Sequence, residues 1–135
     1  MRYMLLIYQE ETTNTRSEAE REQSMASHWA VIDETSKLGI LQGVSPLQPT
    51  STATTIRMKE GKKVVLDGPF AETKEQLGGY YILECKDLDE AIGWANKLPL
   101  SCSGGQGSIE IRPLGTLPER KGPTAEREYA GAHNG

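Results

Sequence analysis

Two short runs of the sequence carry apolar side chains in both of their alternating sets of positions. The first is YMLLIY, from Tyr3 to Tyr8, and the second is YYILEC, from Tyr80 to Cys85. Both are too short for a helix and are flanked by charged residues or glycine, so each predicts a β-strand buried on two faces. A sheet built around two such strands needs cover on both sides, and this need constrains the fold more than any other feature of the chain.

Two segments have helical periodicity instead. From Ser17 to Leu38 apolar residues recur on one half of a helical wheel, and Gly39 is placed to end the helix. The expected buried half of this helix consists of Met25, Trp29, Val31, Ile32, Thr35 and Leu38. A second helix is expected between Asp87, a capping residue type with Glu90 in the capping-box position, and Pro99. Its expected buried stripe consists of Leu88, Ala91, Ile92, Ala95 and Leu98.

The remaining regular segments predict strands. They are ILQGVSPL, TATTIRM, KVVL and SIEIRPL. The second and third form a hairpin through a turn at residues 59–62, and the DGPF turn closes that hairpin. The order strand, helix, strand and hairpin, strand, helix, strand predicts an α+β fold, a ferredoxin-like (split βαβ) sheet with two helices on one face.

Two helices on one face leave the second apolar face of the sheet without cover. Such a surface exceeds what a monomer usually exposes, so we expect a homodimer whose sheets pack face to face into a barrel-like core. The alternative is cover by the chain's own C-terminal segment, but that segment holds only Leu117 and Tyr129 as large apolar groups. We therefore expect one domain over residues 1–115 and a polar tail over 116–135, loosely ordered or reaching another subunit.

Charge and targeting features exclude several classes of partner. The chain of 135 residues has 15 basic and 19 acidic side chains, a net charge of -4, and no basic stripe. Nucleic acid and anionic membranes are therefore not expected partners. The apolar start is too short for a signal peptide, and Cys85 and Cys102 lack disulfide or metal spacing, so a cytoplasmic protein with free thiols is expected.

Two residues are candidates for acid–base chemistry. His28 lies in the middle of the apolar half of the first helix, where it needs a polar partner: a backbone carbonyl, a water, or a side chain such as Asp67. If His28 and Asp67 meet in a pocket, each alters the protonation of the other and they form a general acid–base pair. For Asp67 alone, a structural turn is at least as good an interpretation, because Asp next to Gly68 and Pro69 commonly begins a turn.

The other polar residues and glycines have ordinary structural interpretations. Glu110 and Arg112 lie two apart on a strand and share a face, where they form a salt bridge or contact a ligand carboxylate. Glu72, Lys74 and Glu75 have the spacing of a short exposed helix with ordinary surface charges. The glycine pairs do not match a phosphate-binding loop, and His133 lies in the tail, so neither a nucleotide cofactor nor a metal is expected.

Long stretches of the chain resemble the DGPF-domain branch of the YCII-related protein family. They are MRYMLLIY, TATTIRMKEGKKVVLDGPFAETKEQLGGYYILE, DLDEAIGWANKLP and SIEIRPL, and the resemblance spans about residues 1 to 115. It implies a dimeric α+β barrel, a bacterial cytoplasmic protein and no established activity. In relatives a histidine and an aspartate are suggested as an acid–base pair; Asp67 matches the DGPF aspartate, and His28 lies near the family's histidine.

Two functional hypotheses follow. The first is a small dimeric enzyme acting on a metabolite, in which Asp67 is the acid or base, His28 assists it, and Arg112 orients an anionic substrate, with Glu110 and Tyr80 as further contacts. The second is a non-catalytic module that binds a small ligand or a protein. The resemblance links that module to the control of extracytoplasmic-function sigma factors.

Overall fold

The computed structural model describes residues 1–11, 17–100 and 107–120. Its elements are β1 (Arg2–Gln9), α1 (Glu18–Lys37), β2 (Leu41–Pro46), a single 3₁₀ turn (Thr50–Thr52), β3 (Thr54–Lys59), β4 (Lys62–Asp67), β5 (Gln76–Glu84), α2 (Leu88–Ala95) and β6 (Gly107–Pro113). The predicted order of strands and helices is confirmed. In this part of the chain no helix has the length and apolar character needed to cross a bilayer.

Four strands form one antiparallel sheet in the order β2-β5-β1-β6, while β3 and β4 form a separate hairpin. The central strands β1 and β5 pair from Arg2 opposite Glu84 to Gln9 opposite Gln76, with a bulge after Ile7. This strand order, with one helix after β1 and one after β5, is consistent with the predicted ferredoxin-like arrangement. The four-stranded sheet is open in the single chain, so the chain alone does not form a barrel.

One face of the sheet, which we call the helix face, packs against α1 and α2. The buried residues on this side are Tyr3, Leu5, Ile7, Tyr81, Leu83 and Cys85 from the strands and Val31, Ala91, Ala95 and Leu98 from the helical segments. The one buried polar side chain among the described residues, Thr35, donates a hydrogen bond of 2.7 Å from its hydroxyl to the Val31 carbonyl. The core is thus a single apolar layer between helices and strands.

The opposite face, which we call the open face, is also apolar along its centre. Met4 lies opposite Ile82, and Leu6 lies opposite Tyr80, and all four are half-buried. The prediction that β1 and β5 carry apolar groups on both faces is therefore correct. No helix lies on this side of the sheet in the described chain.

Helix α1 buries a narrower stripe than its sequence predicts. Val31 and Thr35 are fully buried, but Met25, Trp29 and Leu38 are exposed. A helix lying on a sheet buries the stripe that faces the strands, and its flanks stay open unless another element covers them. The helix begins as expected, since the Ser17 side chain accepts a hydrogen bond of 3.1 Å from the Glu20 amide.

Helix α2 is shorter than predicted. Asp87 caps it by accepting a hydrogen bond of 2.9 Å from the Glu90 amide, as expected, but the helix ends at Ala95, four residues before Pro99. Leu88 and Ile92, which were expected to be buried, are exposed. With only two turns, this helix covers the sheet with Ala91, Ala95 and the partly buried Trp94 and leaves Leu88 and Ile92 exposed.

Candidate functional site

His28 lies in the layer between α1 and the sheet, and its partner is a tyrosine. His28 Nδ1 is 2.8 Å from the hydroxyl oxygen of Tyr81, and the two rings are stacked at 12° with centroids 6.0 Å apart. Tyr81 is only 2 % exposed. Of the sequence's three candidate partners, a backbone carbonyl, a water and Asp67, none is a tyrosine, so the structure supplies a partner that the sequence analysis did not name.

Burial shapes the protonation of this pair. Desolvation lowers the pKa of His28 from its usual value and raises the pKa of Tyr81 to about 12. At neutral pH the phenol is therefore protonated and the imidazole is neutral. The phenol hydrogen can donate to Nδ1, which places the remaining ring proton of His28 on Nε2.

Asp67 lies elsewhere, at the end of β4 in the separate hairpin. Its side chain is exposed, and within the described residues its carboxylate makes no hydrogen bond. The turn that follows is held by Gly68, which has a φ of 99°. The Gly68 amide donates 2.7 Å to the Ala53 carbonyl, and the Gly68 carbonyl accepts 2.8 Å from the Thr55 hydroxyl. Within the described chain, no hydrogen bond or ion pair joins Asp67 to His28.

The two faces of the hairpin differ in their surroundings. Asp67 is paired with Thr54, and alternation puts both on the same face as Ile56 and Val65, which are 67 % and 68 % exposed. Thr55 belongs to the other face and lines a groove. Asp67 is therefore on the side of the hairpin that faces away from that groove.

The groove has a volume of about 510 Å³ and lies between the sheet, residues 47–53 and the loop of residues 68–75, which we call the DGPF loop. The apolar or aromatic residues in its lining include Tyr8, Leu47, Pro49, Pro69, Phe70 and Leu77. Tyr8 belongs to the open face, so the groove continues from that face. Its size and lining are typical of sites for small organic ligands.

Hydrogen bonds hold the walls of the groove in place. The Glu11 carboxylate accepts from the Thr50 amide at 2.9 Å and from the Thr50 hydroxyl at 2.7 Å. The Glu11 amide donates 2.9 Å to the side-chain oxygen of Gln76, whose side-chain nitrogen donates to the Thr73 carbonyl. These bonds join the end of β1, the 3₁₀ turn and the DGPF loop, so the groove is preformed.

Glu75 is the charged residue in this lining. Its Oε1 accepts a hydrogen bond of 2.8 Å from the Ser108 hydroxyl. The sequence placed Glu72, Lys74 and Glu75 on a short exposed helix, but the DGPF loop contains no helix. Glu75 is half-buried, and the assignment of an ordinary surface charge is wrong for it.

The other predicted binding residues lie on the open face rather than in the groove. Glu110 and Arg112 are exposed on β6, opposite Leu6 and Met4 respectively, which confirms that they share a face. Tyr80 is half-buried on β5, and β1 separates it from both residues. None of the three lines the groove.

Metal and thiol chemistry find little support in the described residues. They contain no group of three or more His, Cys, Asp or Glu side chains arranged to hold a metal ion. Cys85 is buried with a free thiol, and burial, followed by nearby carboxylates, raises its pKa. Cys102 and His133 lie outside the described residues.

Local sequence patterns do not single out Tyr81 or Glu75, each for a physical reason. Tyr81 looked like any buried strand residue, because its hydroxyl partner lies 53 positions away on another element. Glu75 looked like a surface charge, because the path of the DGPF loop is set by contacts from Glu11 and Ser108 that no local pattern reveals.

Comparison with known proteins shows what the chain is similar to. A family model described as the YCII-related domain matches residues 1–116. An uncharacterised protein of Rhizobium meliloti (strain 1021) is 43% identical over 115 residues, which is 84% of this chain and 92% of that protein. The similarity thus spans the whole sheet, both helices and the groove.

Proposed function

This chain belongs to the family of proteins with a YCII-related domain, and on that premise we propose that it is a small-molecule-binding protein. We further propose that it belongs to the DGPF branch of that family, because residues 67–70 read DGPF. The binding site is the groove beside the DGPF loop. Control of extracytoplasmic-function sigma factors is the setting that the family resemblance suggests for such a module.

The observation that carries this proposal is the preformed groove. A volume of about 510 Å³ lies in the range of small-ligand sites, and its walls are tied together before any ligand enters. A site that is already ordered loses little conformational entropy when a ligand binds. The exposed carboxylate of Asp67, by contrast, stands on the far face of the hairpin.

Obstructing the groove tests this function. Ala71 is exposed in the lining, and Ala71→Trp places an indole there without replacing a buried side chain. With phenethyl alcohol as a neutral probe, we expect chemical-shift changes at the Phe70 and Leu77 amides of the wild-type protein. Ala71→Trp weakens them, while Ala26→Trp, an exposed substitution on α1, does not. Binding that is unaffected by Ala71→Trp, or no binding to the wild type, contradicts the proposal.

We propose a homodimer as the assembly in which the groove works. A second copy on the open face would bury the half-exposed apolar stripe around Leu6 and Ile82, which the helices leave uncovered. Because Tyr8 belongs to both the open face and the groove, such a partner would also add a wall to the site. The barrel follows from two sheets packed in this way.

A second candidate function is an acid–base enzyme. The observation that favours it is the imidazole of His28, which Tyr81 contacts and whose lowered pKa keeps it unprotonated at neutral pH, as a general base must be. Asp67 supplies the acid or the orienting carboxylate in this proposal, and Arg112 contacts the substrate.

An NMR titration of His28 tests the acid–base enzyme proposal without a known substrate. A carboxylate in contact with imidazole raises the pKa of the imidazole, so Asp67→Asn lowers the pKa of His28 if the two residues form a pair. The pKa is read from the His28 ring protons by NMR, with Asp33→Asn, an exposed substitution on α1, as control. An unchanged pKa in Asp67→Asn rejects the acid–base pair.

A further inference from the structure

Among the described residues, the lining of the groove carries negative but no positive charge. Of the described residues that line it, Glu75 has an ionisable acidic side chain and none has a cationic one. We propose that the groove takes small organic cations, amines with an apolar aromatic or aliphatic body, whose ammonium group lies at Glu75. This inference rests on the proposed function, because it specifies the ligand class of the same groove.

The position of the carboxylate supports this ligand class. Ser108, which donates to Glu75 Oε1, lies directly opposite Tyr8 in the pairing of β6 with β1. Residues paired across strands have β-carbons about 5 Å apart. The Glu75 carboxylate is therefore held near the Tyr8 position, where the DGPF loop meets the sheet. Within the described residues Oε2 accepts no hydrogen bond, so it is the oxygen available to a ligand donor.

Several hydrogen-bond donors around Glu75 are already engaged within the protein and are not available to an anion. The Thr50 hydroxyl donates to Glu11, the Thr55 hydroxyl donates to the Gly68 carbonyl, and both ends of the Gln76 side chain are engaged. These donors thus hold the walls of the groove together. Two cations adjoin the DGPF loop without lining the groove: Lys74 is exposed within the loop, and Arg57 donates 3.3 Å to the Phe70 carbonyl.

The apolar part of the lining suits the rest of such a ligand. Tyr8 and Phe70 supply aromatic surface, and the faces of aromatic rings attract cations as well as apolar groups. Leu47, Pro49 and Leu77 add aliphatic surface. An amine with a hydrocarbon body matches both parts, whereas a highly polar metabolite would leave the apolar surface without a partner.

Three probes with one aromatic body and different charges test the proposal. Phenethylamine is a cation at neutral pH, phenethyl alcohol is neutral, and hydrocinnamate is an anion. Each is titrated into the full-length protein, and affinities are read from the amides of Phe70, Ala71 and Leu77 by NMR. We expect phenethylamine to bind about tenfold more tightly than the alcohol, as a charge-assisted hydrogen bond does, and hydrocinnamate to bind most weakly.

Two variants test whether Glu75 causes the preference for the amine over the alcohol. Glu75→Gln keeps an oxygen that can accept from Ser108 but removes the charge, so the amine and the alcohol should then bind equally, with the alcohol unchanged. Glu72→Gln removes an exposed carboxylate from the same loop outside the lining and should keep the preference.

Each outcome has one meaning. Equal binding of amine and alcohol to the wild type, tightest binding of hydrocinnamate, or a preference that survives Glu75→Gln overturns the cation proposal while the groove stands as a binding site. If no probe perturbs the groove in the wild type, because a partner subunit or another segment fills it, the proposed function fails together with this inference.

Discussion

At the scale of single residues, the contact between Tyr81 and His28 decides how the space between α1 and the sheet is filled. A tyrosine that is 2 % exposed must place its hydroxyl against a partner, and His28 Nδ1 is that partner at 2.8 Å. Where the hydroxyl donates to Nδ1, the ring proton of His28 lies on Nε2. The Tyr81 hydroxyl thus affects both the position and the protonation of the His28 ring.

Removing that oxygen has a measurable cost. Tyr81→Phe keeps the ring but leaves Nδ1 without its hydrogen-bond partner, and an unsatisfied half-buried polar group costs about 1–2 kcal/mol. We expect the free energy of unfolding in urea to fall by that amount. Tyr80→Phe is the matched control, because no hydrogen bond of the neighbouring hydroxyl to a described residue is present. Equal stability of the two variants would show that the Tyr81 hydroxyl contributes nothing.

His28 also gives the stability a dependence on pH. Its pKa is lower in the folded protein than in the unfolded chain, so the unfolded chain binds more protons as the pH falls below about 6.5. The contribution is complete above that pH and is lost as the pH falls towards the depressed folded pKa. We expect the melting temperature of the wild type to fall more steeply between pH 7 and pH 5 than that of His28→Asn, which cannot titrate. Parallel curves would contradict this.

The sequence predicts the site only as far as local patterns reach. It identified His28 as a buried polar residue that needs a partner, and Asp67 as a residue at a turn. It could not identify Tyr81 as the partner or Glu75 as part of a groove, because both contacts join elements distant in sequence and depend on the register of β5 against β1 and on the path of the DGPF loop.

At the scale of elements, the N-terminal ends of the helices are where the sequence was most informative. The first helix begins next to Ser17, where the helical pattern starts, and the second is capped by Asp87 as predicted; each side chain accepts from the amide three residues on. Cap geometry is a local property, so it can be read without knowledge of the fold. Burial along the same helices is not local, which is why Met25, Trp29 and Leu88 were wrongly expected in the core.

The cap of α2 gives an element-scale prediction. Asp87→Ala leaves the Glu90 amide without its acceptor and should destabilise the protein by about 1 kcal/mol, the usual cost of losing an N-cap. Asp89→Ala removes an exposed acid from the first turn of the same helix without removing a cap. Chemical denaturation compares the two variants, and a loss in Asp89→Ala as large as that in Asp87→Ala would contradict the assignment.

At the scale of the whole molecule, the described residues expose apolar surface on two sheet faces that the helices do not cover. One is the open face, centred on Leu6 and Ile82. The other is the outer face of the hairpin, where Ile56, Met58 and Val65 are 67 %, 62 % and 68 % exposed. The sequence predicted the first from the doubly apolar strands but not the second, because the hairpin's lack of cover follows from its separation from the main sheet.

The proposed homodimer can be tested by a substitution on the open face. Ile82→Glu puts a charge at the centre of the open face, where a monomer can hydrate it but an apolar dimer interface cannot. By sedimentation at micromolar concentration we expect the wild type to be a dimer and Ile82→Glu to be a monomer with an unchanged far-ultraviolet circular dichroism spectrum. Met25→Glu, a matched change at an exposed position on α1, should stay dimeric. A monomeric wild type, or a dimer that tolerates Ile82→Glu, would mean that the open face is not where the copies meet, and the groove would then have to bind its ligand without a partner's wall.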